Sequence, residues 1–143
     1  MKTTSSIRKI SRPVLLAATL AAIALCCSCA DRTDRNSYFQ DRVNAVRGRT
    51  VPSDAIVVNN SGLTVSAYSA TAHWEFETNE ERKVYLSWIS EQLDRDDFKL
   101  KSSDESSLVF TKSSRGESES VNVQVTPANG KLHVKIAYAI DSD

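Results

Sequence analysis

The sequence predicts an α+β fold: a two-layer sandwich with one helix packed on an antiparallel sheet of about five strands, in the order β-α-β-β-β-β. Three observations predict it. Apolar residues recur at helical spacing over one short stretch and alternate with polar ones over much of the remainder. The connections between the alternating stretches are short, so neighbouring strands run antiparallel. Each strand has one apolar face, which needs one cover, and a single helix is available to supply it.

The elements follow in order. Ala55-Ile-Val-Val58 is a short apolar run, and Asn59-Asn60-Ser61-Gly62 after it reads as a turn. Leu63 and Val65 alternate with Thr64 and Ser66, whereas Tyr68, Ala70, Ala72, Trp74 and Phe76 carry the opposite phase. A slip of one residue exchanges the faces of a strand, so a bulge or break is expected near Ser66-Ala67. Thr78 and Glu81 have the spacing of a capping box. The helix it opens runs to about Asp94, with Tyr85, Leu86, Trp88, Ile89 and Leu93 on its apolar face and Trp88 read as core. From Phe98 on the period is two. Phe98 and Leu100, then Leu108 and Phe110, then Val121, Val123 and Val125, and lastly Leu132 through Ile140 form strands. Ser113–Glu117 and Pro127–Gly130 connect them as hairpins. A curved sheet gripping one helix is similar in shape to a reduced helix-grip arrangement, a likeness of form that carries no function.

Ahead of this domain, at residues 55–143, lie two segments of different character. Residues 30–54 read as a flexible tether: polar and charge-mixed at first, then with Tyr38, Phe39, Val43 and Val46 spaced for a short helix ending at Gly48. Residues 1–29 read as an export signal. Lys2, Arg8, Lys9 and Arg12 form a basic start without an acid, and an apolar run from Val14 to Leu25 follows. Cys26, Cys27 and Cys29 close it, and they are the chain's three cysteines. A disulfide framework in the folded part is therefore excluded.

This clustering resembles the signal peptides of bacterial lipoproteins, which are cut before a cysteine that becomes diacylated. The resemblance covers the signal alone. It implies lipidation at Cys29, preceded by the small Ser28, although Cys26 stands where the pattern wants an aliphatic residue; Cys26 itself, after Ile23-Ala24-Leu25, is the alternative. Membrane anchoring through such a lipid draws about 0.8 kcal/mol from each buried methylene. Cleavage after Ala30, giving a secreted soluble protein, and a retained signal anchor are the other readings.

Charge narrows the function. The 18 basic and 18 acidic residues balance over the whole chain, but from Val51 on 9 basic residues face 15 acidic ones. Such a domain lacks the basic footprint that nucleic acid requires. Catalytic chemistry has few places to reside. Past Cys29 there is no thiol, and no Gly-x-Ser-x-Gly elbow or helical zinc motif occurs. His73 and Glu75 on one strand face, with His133 on another strand, are the candidate metal ligands. The competing reading is the solvent face of a half-buried strand, and Lys131 and Lys135 beside His133 disfavour a cation there. No cofactor is expected. The resulting expectation is a non-catalytic binding or adaptor module in the cell envelope, anchored to the membrane and facing the periplasm or exterior, with an envelope protein as partner. The alternatives are a metal-dependent hydrolase, or an inhibitor or immunity-type protein using Tyr38 or Phe39 as its anchor.

Overall fold

The computed structural model describes residues 34–142. The export signal, with Cys26 and Cys29, lies outside the described residues. Tyr38–Asp143 form one compact unit. Residues 34–37 are helical, and the fold is that of this unit.

A first helix, α1, covers residues 34–50. Strands β1 (Ile56–Val65) and β2 (Ser69–Thr78) follow, then helix α2 (Arg82–Arg95). Strands β3 (Lys99–Ser103), β4 (Ser107–Ser114), β5 (Glu117–Ala128) and β6 (Lys131–Ser142) complete the chain. The six strands form one antiparallel sheet in the order β1-β2-β6-β5-β4-β3. The last strand returns to pair with β2, so the two hairpin groups on either side of α2 merge into one layer.

The expectation of five strands and one helix is thereby corrected: the described residues are mostly sheet, with six strands and two helices. Two local readings account for the difference. Asn59–Gly62 is not a turn. The strand runs through it, absorbing irregularities between Val57 and Asn59 and between Ser61 and Thr64. On an edge strand exposed along most of its length, burial does not enforce the period of two. The reversal comes later, where the Ser66 amide donates to the Ser69 carbonyl at 2.8 Å. The second reading concerns residues 34–50. Phe39, Val43 and Val46 recur at i, i+4 and i+7 and are buried in the main core. The helix also continues past Gly48 to residue 50. One gripped helix therefore gives way to two helices contributing to one core.

That core is a single cluster. Burial alternates along β2, β5 and β6, so that Trp74 and Phe76, Val121 to Val125, and Val134 to Ile140 face inward. Helix α2 adds Tyr85, Ile89 and Leu93. Leu86 and Trp88 pack on its margin. The expected capping box does not form. Thr78 Oγ1 accepts from the Glu80 amide at 3.2 Å, and Glu81 is the N-cap with no side-chain bond. At the hairpin tips, Arg115-Gly116 and Asn129-Gly130 have positive φ at both central positions, the backbone of a type I′ turn.

Candidate functional site

Both helices contribute to the core on one side of the sheet, and the opposite side is polar. Strand β2 presents His73, Glu75 and Glu77 there. Register places them opposite Ala137, Lys135 and His133 of β6, which in turn face Asn122, Gln124 and Thr126 of β5. Ala137 is the small member of its row, between His73 and Asn122. Its short side chain leaves a shallow depression of about 230 Å³, bordered by His73, Glu75, Asn122, Gln124 and Lys135. His73, Asn122 and Gln124 are exposed. Their amide and imidazole groups offer both donors and acceptors to a polar surface.

The ionisable groups on this face are arranged in pairs. His133 Nε2 lies 3.1 Å from Glu75 Oε2, and Lys135 Nζ lies 3.6 Å from Glu75 Oε1. Lys131 Nζ is 3.4 Å from Glu77 Oε2. Of the three metal-ligand candidates, the fold brings Glu75 and His133 together. His73 stands apart. His133 is paired with Glu77, four residues further along β2 than His73, a separation of about 13 Å at the usual strand rise. Among the described residues, no group of three or more His, Cys, Asp or Glu converges as a metal site would require. The chemistry of the open face is hydrogen bonding and charge pairing.

A second polar constellation, not anticipated from the sequence, lies on the helix side. Glu119 of β5 is only 3% exposed. The Arg42 guanidinium of α1 donates to one of its oxygens through Nη2, and the Tyr138 hydroxyl donates to the other at 2.7 Å. Burial works to lower the Arg42 pKa, but the Glu119 carboxylate overcomes it and the guanidinium is held above its ordinary value. Burial, reinforced by the bond to Glu119, pushes the Tyr138 phenol well up. A turn earlier on α1, the Tyr38 hydroxyl donates to Glu117 Oε2 at 2.7 Å. Its pKa is raised to about 12 by burial and then by that carboxylate. This constellation clasps α1 to the sheet. The sequence carried a signal for it: Glu119 is in phase with Val121, Val123 and Val125, which makes it a core-side acid. Phe39, a candidate inhibitor anchor, is buried, and Tyr38, 40% exposed, is tied to Glu117.

Among the described residues, no helix is long and apolar enough to cross a membrane. No protein-family model matches the chain, and no curated protein matches it. Two solved structures share part of its shape. CalU16 from Micromonospora echinospora aligns with a TM-score of 0.44 at 7% identity, over 59% of this chain and 71% of that one. LpqN, described as involved in cell envelope biogenesis of Mycobacterium tuberculosis, aligns with a TM-score of 0.41 at 15% identity, over 65% of this chain and 69% of that one. At these values neither likeness carries an argument about this chain.

Proposed function

We propose that this chain is an exported, lipid-anchored, non-catalytic binding module of the cell envelope, whose contact surface is the open polar face of the sheet. The observation that carries the reading is the division of the sheet. One face is buried in the core, and the other presents His73, Asn122 and Gln124 exposed around the Ala137 depression. A face of amides, hydroxyls and paired charges suits recognition of a polar protein surface, where hydrogen bonds and complementary charges set specificity. The basic-apolar N-terminus and the Cys26–Cys29 cluster support export and anchoring. With the membrane as one partner through the lipid, the domain meets the second through the sheet. Neither a metal nor another cofactor enters this reading.

The test is affinity capture with the full chain from detergent-solubilised envelope, run beside Ala137→Arg, which fills the depression without touching the core side. The expected outcome is a specific envelope protein retained by the native chain and lost with the variant. Capture of no specific partner, or equal capture by both chains, overturns the reading. Intact mass of the captured chain reads the anchor. A diacylated N-terminal cysteine is expected, at Cys29 or Cys26. An unmodified N-terminus at Asp31 in soluble material removes the anchor from the proposal.

A further inference from the structure

The two edges of the sheet are protected differently. Edge strand β3 carries Lys99 and Lys101 within five residues, the kind of charge that discourages pairing with another chain. Edge strand β1 carries no charged residue over the ten positions Ile56–Val65. Among the described residues it pairs only with β2, and no strand neighbours its outer backbone groups. Ile56, Val57 and Val58 at its start are 60%, 43% and 55% exposed. An uncharged edge with exposed aliphatic residues is what an added strand requires.

A pocket lies at the same end. Asp54, two residues before β1, lines a cavity of about 230 Å³ with Pro52, Glu80, Val84, Tyr85 and Trp88. Its position relative to the edge follows from register. Val57 is paired with Phe76, and the Tyr85 ring meets Phe76 edge-on at 5.9 Å. The Tyr85 wall therefore stands over the strand next to β1. Trp88 continues that wall, with its ring 5.9 Å from Tyr85. Val84 at the mouth is half exposed. The charged residues lining the pocket, Asp54 and Glu80, are both acidic and exposed, and no ion pair among the described residues neutralises either.

We propose that the β1 edge and this pocket form a second docking surface, which takes an extended peptide segment of a partner protein bearing an aliphatic side chain next to a lysine or arginine. The segment adds as a strand beside β1. Its aliphatic side chain enters between Val84 and Trp88, and its cation meets Asp54 and Glu80. Charge complementarity selects this occupant: two unpaired acids at the rim favour a basic ligand and repel an acidic one. The surface is separate from the open polar face, so it stands or falls independently of that reading.

The experiment titrates the full chain in detergent micelles with acetyl-Thr-Val-Thr-Leu-Arg-amide and follows tryptophan fluorescence, to which Trp88 contributes from the pocket and Trp74 from the core. The same titration uses acetyl-Thr-Val-Thr-Leu-Glu-amide, and both are repeated on Val84→Lys and on Leu100→Asp at the opposite edge. Saturable binding of the arginine peptide is expected, with the glutamate peptide, and the arginine peptide on Val84→Lys, at least ~10-fold weaker, about 1.4 kcal/mol or more, and Leu100→Asp unchanged. Both variants alter exposed positions, so their melting temperatures check that they fold. No saturable change with the arginine peptide up to ~1 mM, an affinity of only about 4 kcal/mol, overturns the proposal. So does equal binding of the two peptides or insensitivity of the arginine peptide to Val84→Lys. Self-association of the full chain that Val58→Lys abolishes would assign the edge to a second copy instead, and would also overturn it.

Discussion

Glu119 occupies a position that its strand neighbours reserve for valine, and the fold tolerates it because each oxygen has a donor. Arg42 supplies charge and Tyr138 a neutral hydroxyl. Breaking such a pair costs more than the pair itself contributes, since the surviving charge is left buried. Arg42→Met, which leaves Glu119 buried without its cation, is therefore expected to destabilise by about 3 kcal/mol, while Arg42→Met with Glu119→Leu recovers most of that loss. Urea denaturation of the three chains measures it, and a double variant as unstable as Arg42→Met would contradict the clasp. The tyrosines extend the argument to pH. Burial raises Tyr85, and burial with the bond to Glu119 raises Tyr138, both above the ordinary 10.0; Tyr38 reaches about 12. Each phenol is neutral in the folded chain over a range where the unfolded chain has begun to ionise. Their contribution is fully present below pH 10 and declines as pH rises past it. The two most buried rings, Tyr85 and Tyr138, together give a slope of about 2.7 kcal/mol per pH unit, at about 1.4 for each group. Equilibrium unfolding from pH 8 to 12 is expected to be flat at first and then to fall. Tyr138→Phe, which lacks the phenol, should show a shallower fall.

Helix α2 ends in a Schellman motif. The Phe98 amide donates to the Leu93 carbonyl at 3.0 Å and the Asp97 amide to that of Asp94 at 3.1 Å, with Asp97 at φ 66°. Buried Phe98 is the hydrophobic closure that accompanies this turn. Aspartate holds the left-handed conformation at a cost that glycine avoids, so Asp97→Gly is expected to stabilise by about 0.5–1 kcal/mol. The urea midpoint should rise without a change in slope. The elements also differ in how well the sequence announces them. Strands β5 and β6 were legible because burial on one face forces strict alternation, and because Asn129-Gly130 has little use except in a tight turn. Trp88 was legible as packing, though at the margin of the core. Strand β1 was not, because an edge open to solvent imposes no alternation, and Asn59-Asn60-Ser61-Gly62 satisfies a turn as readily as a bulged strand. The capping box failed for a related reason: Thr78 is consumed by β2 as its last residue, and the helix starts only at Arg82. Of the candidate site, Glu75 and His133 could be placed on one face from alternation alone. Their adjacency, and the distance of His73, depended on the pairing of β2 with β6, two strands far apart in sequence. The Arg42–Glu119 clasp needed both the phase of β5 and the presence of α1.

At the scale of the molecule, the question is where the folded domain begins. Reading residues 30–54 as a tether leaves the domain to start at Ala55. The core argues otherwise, because Phe39, Val43 and Val46 are inside it. Thr50 also accepts from two buried rings: its hydroxyl from Trp74 Nε1 at 3.2 Å and its carbonyl from the Tyr85 hydroxyl at 3.0 Å. Burying three such side chains contributes about 5–9 kcal/mol, as much as the whole stability of a typical small domain, about 5–15 kcal/mol. Without α1, Glu119 and Tyr138 would also lose the Arg42 charge, and Trp74 and Tyr85 would lose their acceptors. A chain cut to residues 51–143 is therefore expected to lack a cooperative thermal transition and to bind a hydrophobic dye, whereas residues 34–143 melt cooperatively. Phe39→Ala in the full chain tests the same dependence without truncation, with an expected loss of about 3–5 kcal/mol. If residues 51–143 melted cooperatively at the temperature of the longer chain, α1 would be an accessory and the tether would extend to β1. If α1 is integral, any tether ends before Phe39, and a lipid-anchored domain would sit closer to its membrane than a flexible segment reaching residue 54 implies. Under the proposed function, that difference in reach decides which envelope surfaces the open face of the sheet can contact.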